Sequence, residues 1–242
     1  MNNRAFFVIL PVLVWLGLLF ILWLTSLAAG FVYYVLVCVS FVCEFAVPSV
    51  IVRTVAKQNL TGRFGFQSWR KAMLFYLIFA SILSVQFSVG MKWEALLAIL
   101  FAPILEEFFF RGYFLGSFRD KEMLQNPTRL IGSILLSAVV FSFSHVFVRY
   151  DPIDYLVTFC LGLLCGFVYV LSGSIVYSIP LHMMFNFIII NKGGAISQAS
   201  LGIWIILFLL PYLLLAADLL RRRRKRLKID VNSPNLSKAS SA

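Results

Sequence analysis

Charge is what this 242-residue chain has least of. Aspartate, glutamate, lysine and arginine make up 13% of it and hydrophobic residues 61%, against about 25% and 45–50% in ordinary soluble domains. Too little polar side chain is present to cover a water-exposed globule, so most of the chain must lie in lipid. Acids are scarcer than bases, 10 against 21, which leaves a net charge of +11. On one soluble face such a surplus would suggest nucleic acid. Here the basic residues flank apolar runs, which speaks for membrane topology and against a nucleic-acid partner. The four cysteines, Cys38, Cys43, Cys160 and Cys165, all fall in apolar stretches with no CxxC spacing. That excludes a disulfide framework or a thiolate metal site and leaves them as small buried hydrophobes. The sequence has no HExxH, no glycine-rich phosphate loop and no internal repeat. Histidine occurs twice, as His145 and His182.

What is present is long apolar runs. With about 20 residues needed to cross a bilayer, eight segments qualify: about 5–24, 29–52, 72–91, 94–117, 130–149, 153–171, 174–191 and 201–219. The first is longer than the apolar core of a signal peptide and is expected to stay as an uncleaved anchor. Eighteen of the 21 basic residues group on one side of these segments, leaving Lys92, Arg149 and Lys192 opposite. The positive-inside rule then places both termini in the cytoplasm, as eight spans require. The expected fold is all-α: a polytopic transmembrane helix bundle in the cell membrane. Residues 1–220 form the membrane domain, and 221–242 a basic cytoplasmic tail whose run Arg221 to Arg226 is drawn to anionic lipid.

The polar residues inside these spans carry the chemistry, because ionisable groups at bilayer depth are expensive and read as functional. Glu106 and Glu107 are adjacent carboxylates. Arg111 follows Glu107 by four residues, the better order for an ion pair on one helix face, which leaves Glu106 without a local cation. Phe141-x-x-x-His145 and His182-x-x-x-Asn186 each place two side chains on one helical face. Glu106 precedes Asp120 by 14 residues and His145 follows Arg129 by 16, so both lie some 20–24 Å from the turn between their spans, at matching height. A carboxylate and a histidine sharing one water make a general base. A second histidine and an asparagine amide supply donors for a developing oxyanion. Glu44, in the second span, is a further buried acid, expected to be structural.

Taken in order, Glu106-Glu107-x-x-x-Arg111, Phe141-x-x-x-His145 and His182-x-x-x-Asn186 resemble the three signatures of the CAAX protease and bacteriocin-processing family. These are intramembrane glutamic endopeptidases, a group that includes the Ras-converting CAAX prenyl endopeptidase. The resemblance covers residues 94–191. It implies that Glu106 and His145 activate water, that His182 and Asn186 form the oxyanion hole, and that Glu107 and Arg111 brace the site. It also implies a peptide or protein substrate with an apolar or lipidated end, and no cofactor. Three other readings stand beside it. Glu106, His145 and His182 could be ligands of a zinc peptidase with an open position for water. The bundle could be a non-catalytic scaffold or bacteriocin-immunity protein. The acids and histidines could be the relay of a proton- or ion-coupled transporter, although no inverted repeat is evident.

Overall fold

The computed structural model describes residues 3–54, 62, 64–87, 93–147 and 151–191, together with 202, 206, 209–210, 212–217 and 221. The chain divides into two compact units, Met1–Ile196 and Ser197–Ala242. The described residues of the second unit are helical. Nearly half of the expected span at 201–219, and all of the tail beyond Arg221, lie outside the described residues.

The first unit opens with two long helices, α1 (Asn3–Leu27) and α2 (Gly30–Thr54). They pack against each other, and Gly30, at φ +59°, makes the tight reversal between them. A short 3₁₀ turn (Phe66–Ser68) leads into α3 (Trp69–Phe87). Then comes a continuous rod: α4 (Trp93–Glu107), a π-helical segment (Phe108–Leu115) and the single turn α5 (Gly116–Phe118). The short α6 (Lys121–Gln125) joins this rod to α7 (Pro127–Phe143), followed by α8 (Pro152–Ser172) and α9 (Ile175–Asn191). No strand occurs among the described residues.

Helices α7 and α8 start in the same way. Asn126 accepts from the amides of Thr128 and Arg129, Asp151 accepts from Ile153, and proline takes the first helical position in both. An N-cap side chain satisfies orphan amides, and proline has no amide there to waste. Between them α7 and α8 approach closely. A Cβ on Gly162 would lie 2.9 Å from the Cα of Ala138, and one on Gly166 would lie 3.1 Å from Ile134 Cγ2. The spacing Gly162-x-x-x-Gly166 is the small-residue stripe that lets helices in lipid meet backbone to backbone.

Burial runs opposite to that of a soluble protein. Large apolar side chains such as Phe31, Leu13, Leu77 and Leu156 point outward, while Glu107, Arg111, Ser137, Thr158, Ser178 and His182 are enclosed. That is the pattern of a bundle solvated by hydrocarbon. Among the described residues, three helical stretches are by themselves long and apolar enough to cross a membrane, Ile9–Leu27, Gly30–Thr54 and Pro152–Ser172, and two shorter ones, Pro127–Phe143 and Ile175–Ile190, are also apolar.

Two local departures from the expected helices matter for the site. The span expected at 94–117 changes register: over Phe108–Leu115 the hydrogen bonds skip to the fifth residue, as where the Gly116 amide donates to the Arg111 carbonyl. All eight residues of this segment are buried, and Gly112 leaves the space that the Phe64 ring occupies. Phe64 in turn stacks on Phe108 at 3.9 Å between ring centroids. The span expected at 130–149 ends its α-helix at Phe143, and residues 144–147 form a turn.

Candidate active site

The paired acids lie where the α register gives way to the π register. Glu107, the last residue of α4, forms an ion pair with Arg111 at 2.9 Å, and both side chains are fully buried. Arg111 has further partners: Nη2 donates to the Gly162 carbonyl at 3.2 Å, and the guanidinium lies 4.4 Å above the centre of the Phe141 ring. A buried guanidinium needs this much. Its desolvation is offset only when opposite charge, hydrogen bonds and a π face surround it. The close α7–α8 approach at Gly162 brings that carbonyl within reach.

Glu107 serves a second partner. Its Oε1 also lies 2.9 Å from His182 Nδ1. A carboxylate that pairs with arginine acts as an acceptor, so Nδ1 carries the proton and Nε2 is turned elsewhere. Nε2 faces Glu106 Oε2 at 3.5 Å.

His145 is oriented by a different device with the same result. The α7 helix ends just before it, and the backbone amides of His145 and Val146 bond three residues back, to Ser142 and Phe143. His145 Nδ1 meets the Phe141 carbonyl at 2.9 Å. A carbonyl only accepts, so Nδ1–H donates, and the imidazole takes up an oxygen at the helix end that backbone amides alone would under-satisfy. Nε2 is the nitrogen with the lone pair, and it faces Glu106 Oε2 at 3.9 Å. The matching heights expected for Glu106 and His145 thus correspond to neighbouring side chains.

Both histidines therefore present Nε2 to one oxygen of Glu106. That oxygen has no hydrogen-bond partner among the described residues. Exposure separates the residues into two groups: Glu106 and His145 are 18% and 17% exposed, whereas Glu107, Arg111 and His182 are at most 2%. The Phe141 ring holds the group together. It meets His145 and His182 edge-on, at 5.0 and 5.5 Å, and its face carries Arg111. Asn186 is placed apart from this cluster in its hydrogen bonding, with Nδ2 donating to the Ala98 carbonyl of α4 at 3.0 Å. Glu44 is buried in α2 beside Phe45, whose ring meets Phe108 at 4.6 Å. Among the described residues no group of three or more histidines, cysteines or acids is arranged to hold a metal ion.

Four residues contribute in ways the motif reading misses. Phe141 belongs to a motif, but its contact with Arg111 is made between spans and has no sequence signal. Gly162 had one, the four-residue spacing to Gly166. Ser144 and its partner Trp15, whose Nε1–H donates to Ser144 Oγ at 2.9 Å, lie 129 residues apart and had none.

No curated protein and no solved structure matches the chain significantly. The resemblance read from the three motifs does hold at the level of a family: residues 88–188, which carry Glu106, Glu107, Arg111, His145, His182 and Asn186, match the family model described as Rce1-like, type II CAAX prenyl endopeptidase Rce1-like.

Proposed function

We propose that this chain is a multi-pass cell-membrane endopeptidase. It hydrolyses a peptide bond of a membrane-associated peptide or protein with a water activated between Glu106 and His145. The observation that carries the reading is the convergence of both Nε2 atoms on Glu106 Oε2, with the Nδ1 of each ring already committed. A water bridging Glu106 and His145 loses its proton to this pair as its oxygen attacks the scissile carbonyl. The oxyanion that forms is met by His182 and Asn186. With Nδ1–H donated to Glu107, His182 turns Nε2 toward Glu106 and serves the oxyanion from there. Asn186 uses one amide hydrogen on Ala98 and has the second for the oxyanion. The proton held by the base then goes to the leaving amine. Glu107 and Arg111 fix the ring and stay out of the bond changes.

Residues 1–220 form the membrane domain, both termini face the cytoplasm, and the basic tail 221–242 lies on anionic lipid. A substrate with an apolar or lipidated end suits a site enclosed by lipid-facing helices. The test is comparative membrane peptidomics of cells carrying wild type or Glu106→Gln, which keeps the shape and removes the base. A peptide cut only by wild type is expected, with the rate on that peptide in proteoliposomes lowered by about 10²–10⁴ in the variant. Equal cleavage by both proteins would overturn the assignment, and identical peptidomes would favour a scaffold. Cleavage is expected to survive dialysis against a strong chelator. Loss on chelation with recovery on adding zinc would reassign Glu106, His145 and His182 as metal ligands.

A further inference from the structure

The turn that carries His145 hangs from the last residues of α7, through bonds to Phe141, Ser142 and Phe143, and contacts from elsewhere in the chain add to fixing where the imidazole stands. One of them comes from the other end of the chain. Trp15, in α1, donates from Nε1 to Ser144 Oγ at 2.9 Å, and its ring meets Phe143 at 6.2 Å and 61°. Ser144 is buried, and its hydroxyl donates to the Val140 carbonyl at 2.8 Å. Its single proton is spent on its own helix, and its lone pair receives the indole. The residues on either side of Ser144 are the ring that Trp15 touches and the histidine that faces Glu106. α1 also packs against the π segment and α5, so it bridges the rod bearing Glu106 and the turn bearing His145. An indole N–H in an apolar setting costs free energy unless it finds an acceptor, whereas phenylalanine or leucine would fill the space without that demand. The hydrogen bond is therefore what tryptophan adds at this position.

We propose that Trp15 is a positioning residue for His145: through Ser144 it clamps the turn so that the imidazole keeps Nδ1–H on the Phe141 carbonyl and Nε2 toward Glu106. The inference rests on the role given to His145 above and extends the working site to a helix outside the matched segment 88–188.

The chain has two histidines and five tryptophans, few enough for ¹⁵N spectra of the whole protein in nanodiscs to be assigned with His145→Gln and Trp15→Phe. In Ser144→Ala the Trp15 indole resonance is expected to move and its hydrogen to exchange faster. In Trp15→Phe the two ¹⁵N shifts of His145 should draw together as the ring samples both tautomers, while those of His182 stay put. The double variant should look like either single one, because both remove the same bond. On a peptide identified as above, Trp15→Phe should lower kcat roughly ten- to a hundredfold at nearly constant KM, as misplacement of a catalytic group does. Wild-type His145 shifts in Trp15→Phe would overturn the proposal. So would equal movement of the His182 shifts, which would mean a general loosening of the bundle. If Glu106→Gln still cleaved, the hydrolase reading would fail, while the clamp would be judged on the histidine spectra alone.

Discussion

At the scale of single residues, the site depends on how Glu107 is shared. One carboxylate oxygen neutralises Arg111 and orients His182, each at 2.9 Å. Removing one partner of a buried pair strands the other, at about 3–5 kcal/mol. Arg111→Ala is therefore expected to reduce folded protein and lower the thermal midpoint in detergent. Glu107→Gln combined with Arg111→Gln should recover part of that loss, because no lone charge remains and the amide oxygen introduced by Glu107→Gln can still accept from His182. Single variants as thermostable as wild type would contradict this. The ion pair was legible in the sequence because the two residues are close neighbours on one rod. The Phe141 ring over Arg111 was not, since nothing in either span encodes how the other is rotated.

At the scale of elements, small residues decide which helices can carry the site. Gly162 sits where a Cβ would meet the Ala138 backbone, and the carbonyl of Gly162 itself receives Arg111. Gly132, on α7, has nothing within 4 Å of its Cβ position. Gly162→Val should push α7 and α8 apart and cost about 1–3 kcal/mol by overpacking, with loss of cleavage as the Arg111 bond lengthens. Gly132→Val should carry no such cost, since its Cβ meets nothing and valine is a better helix former than glycine. Thermal unfolding of the two variants side by side checks the difference. Hydropathy marked apolar runs that the described residues show as helices, three of them long and apolar enough to cross a membrane, because the free energy of burying about 20 apolar residues dwarfs local detail. It was blind to the π register of Phe108–Leu115 and to the turn at 144–147, since neither changes the average hydropathy of its segment. That turn is what converts His145 from one residue on a helix face into a ring tied to the helix end.

At the scale of the whole molecule, the distribution of basic residues makes a prediction about sidedness. Arg111, counted with the cytoplasmic side in the sequence, is buried in the bundle and drops out of the bias. On the expected eight-span arrangement, the remaining loop and tail residues still group on one side. Single cysteines placed at the N-terminus and in the basic tail should both react with an impermeant thiol reagent only after the cytoplasmic face is opened. Labelling of the tail from outside would remove the eight-span arrangement. The orientation of the two imidazoles has a further consequence, in electrical terms. A membrane that stores energy as a proton gradient tolerates no wire of titrating groups across it. Each ring here spends the nitrogen that points away from Glu106: His145 on a backbone carbonyl, and His182 on a carboxylate paired with arginine. A backbone carbonyl passes no proton on, so the His145 bond insulates where a second imidazole or a carboxylate would conduct.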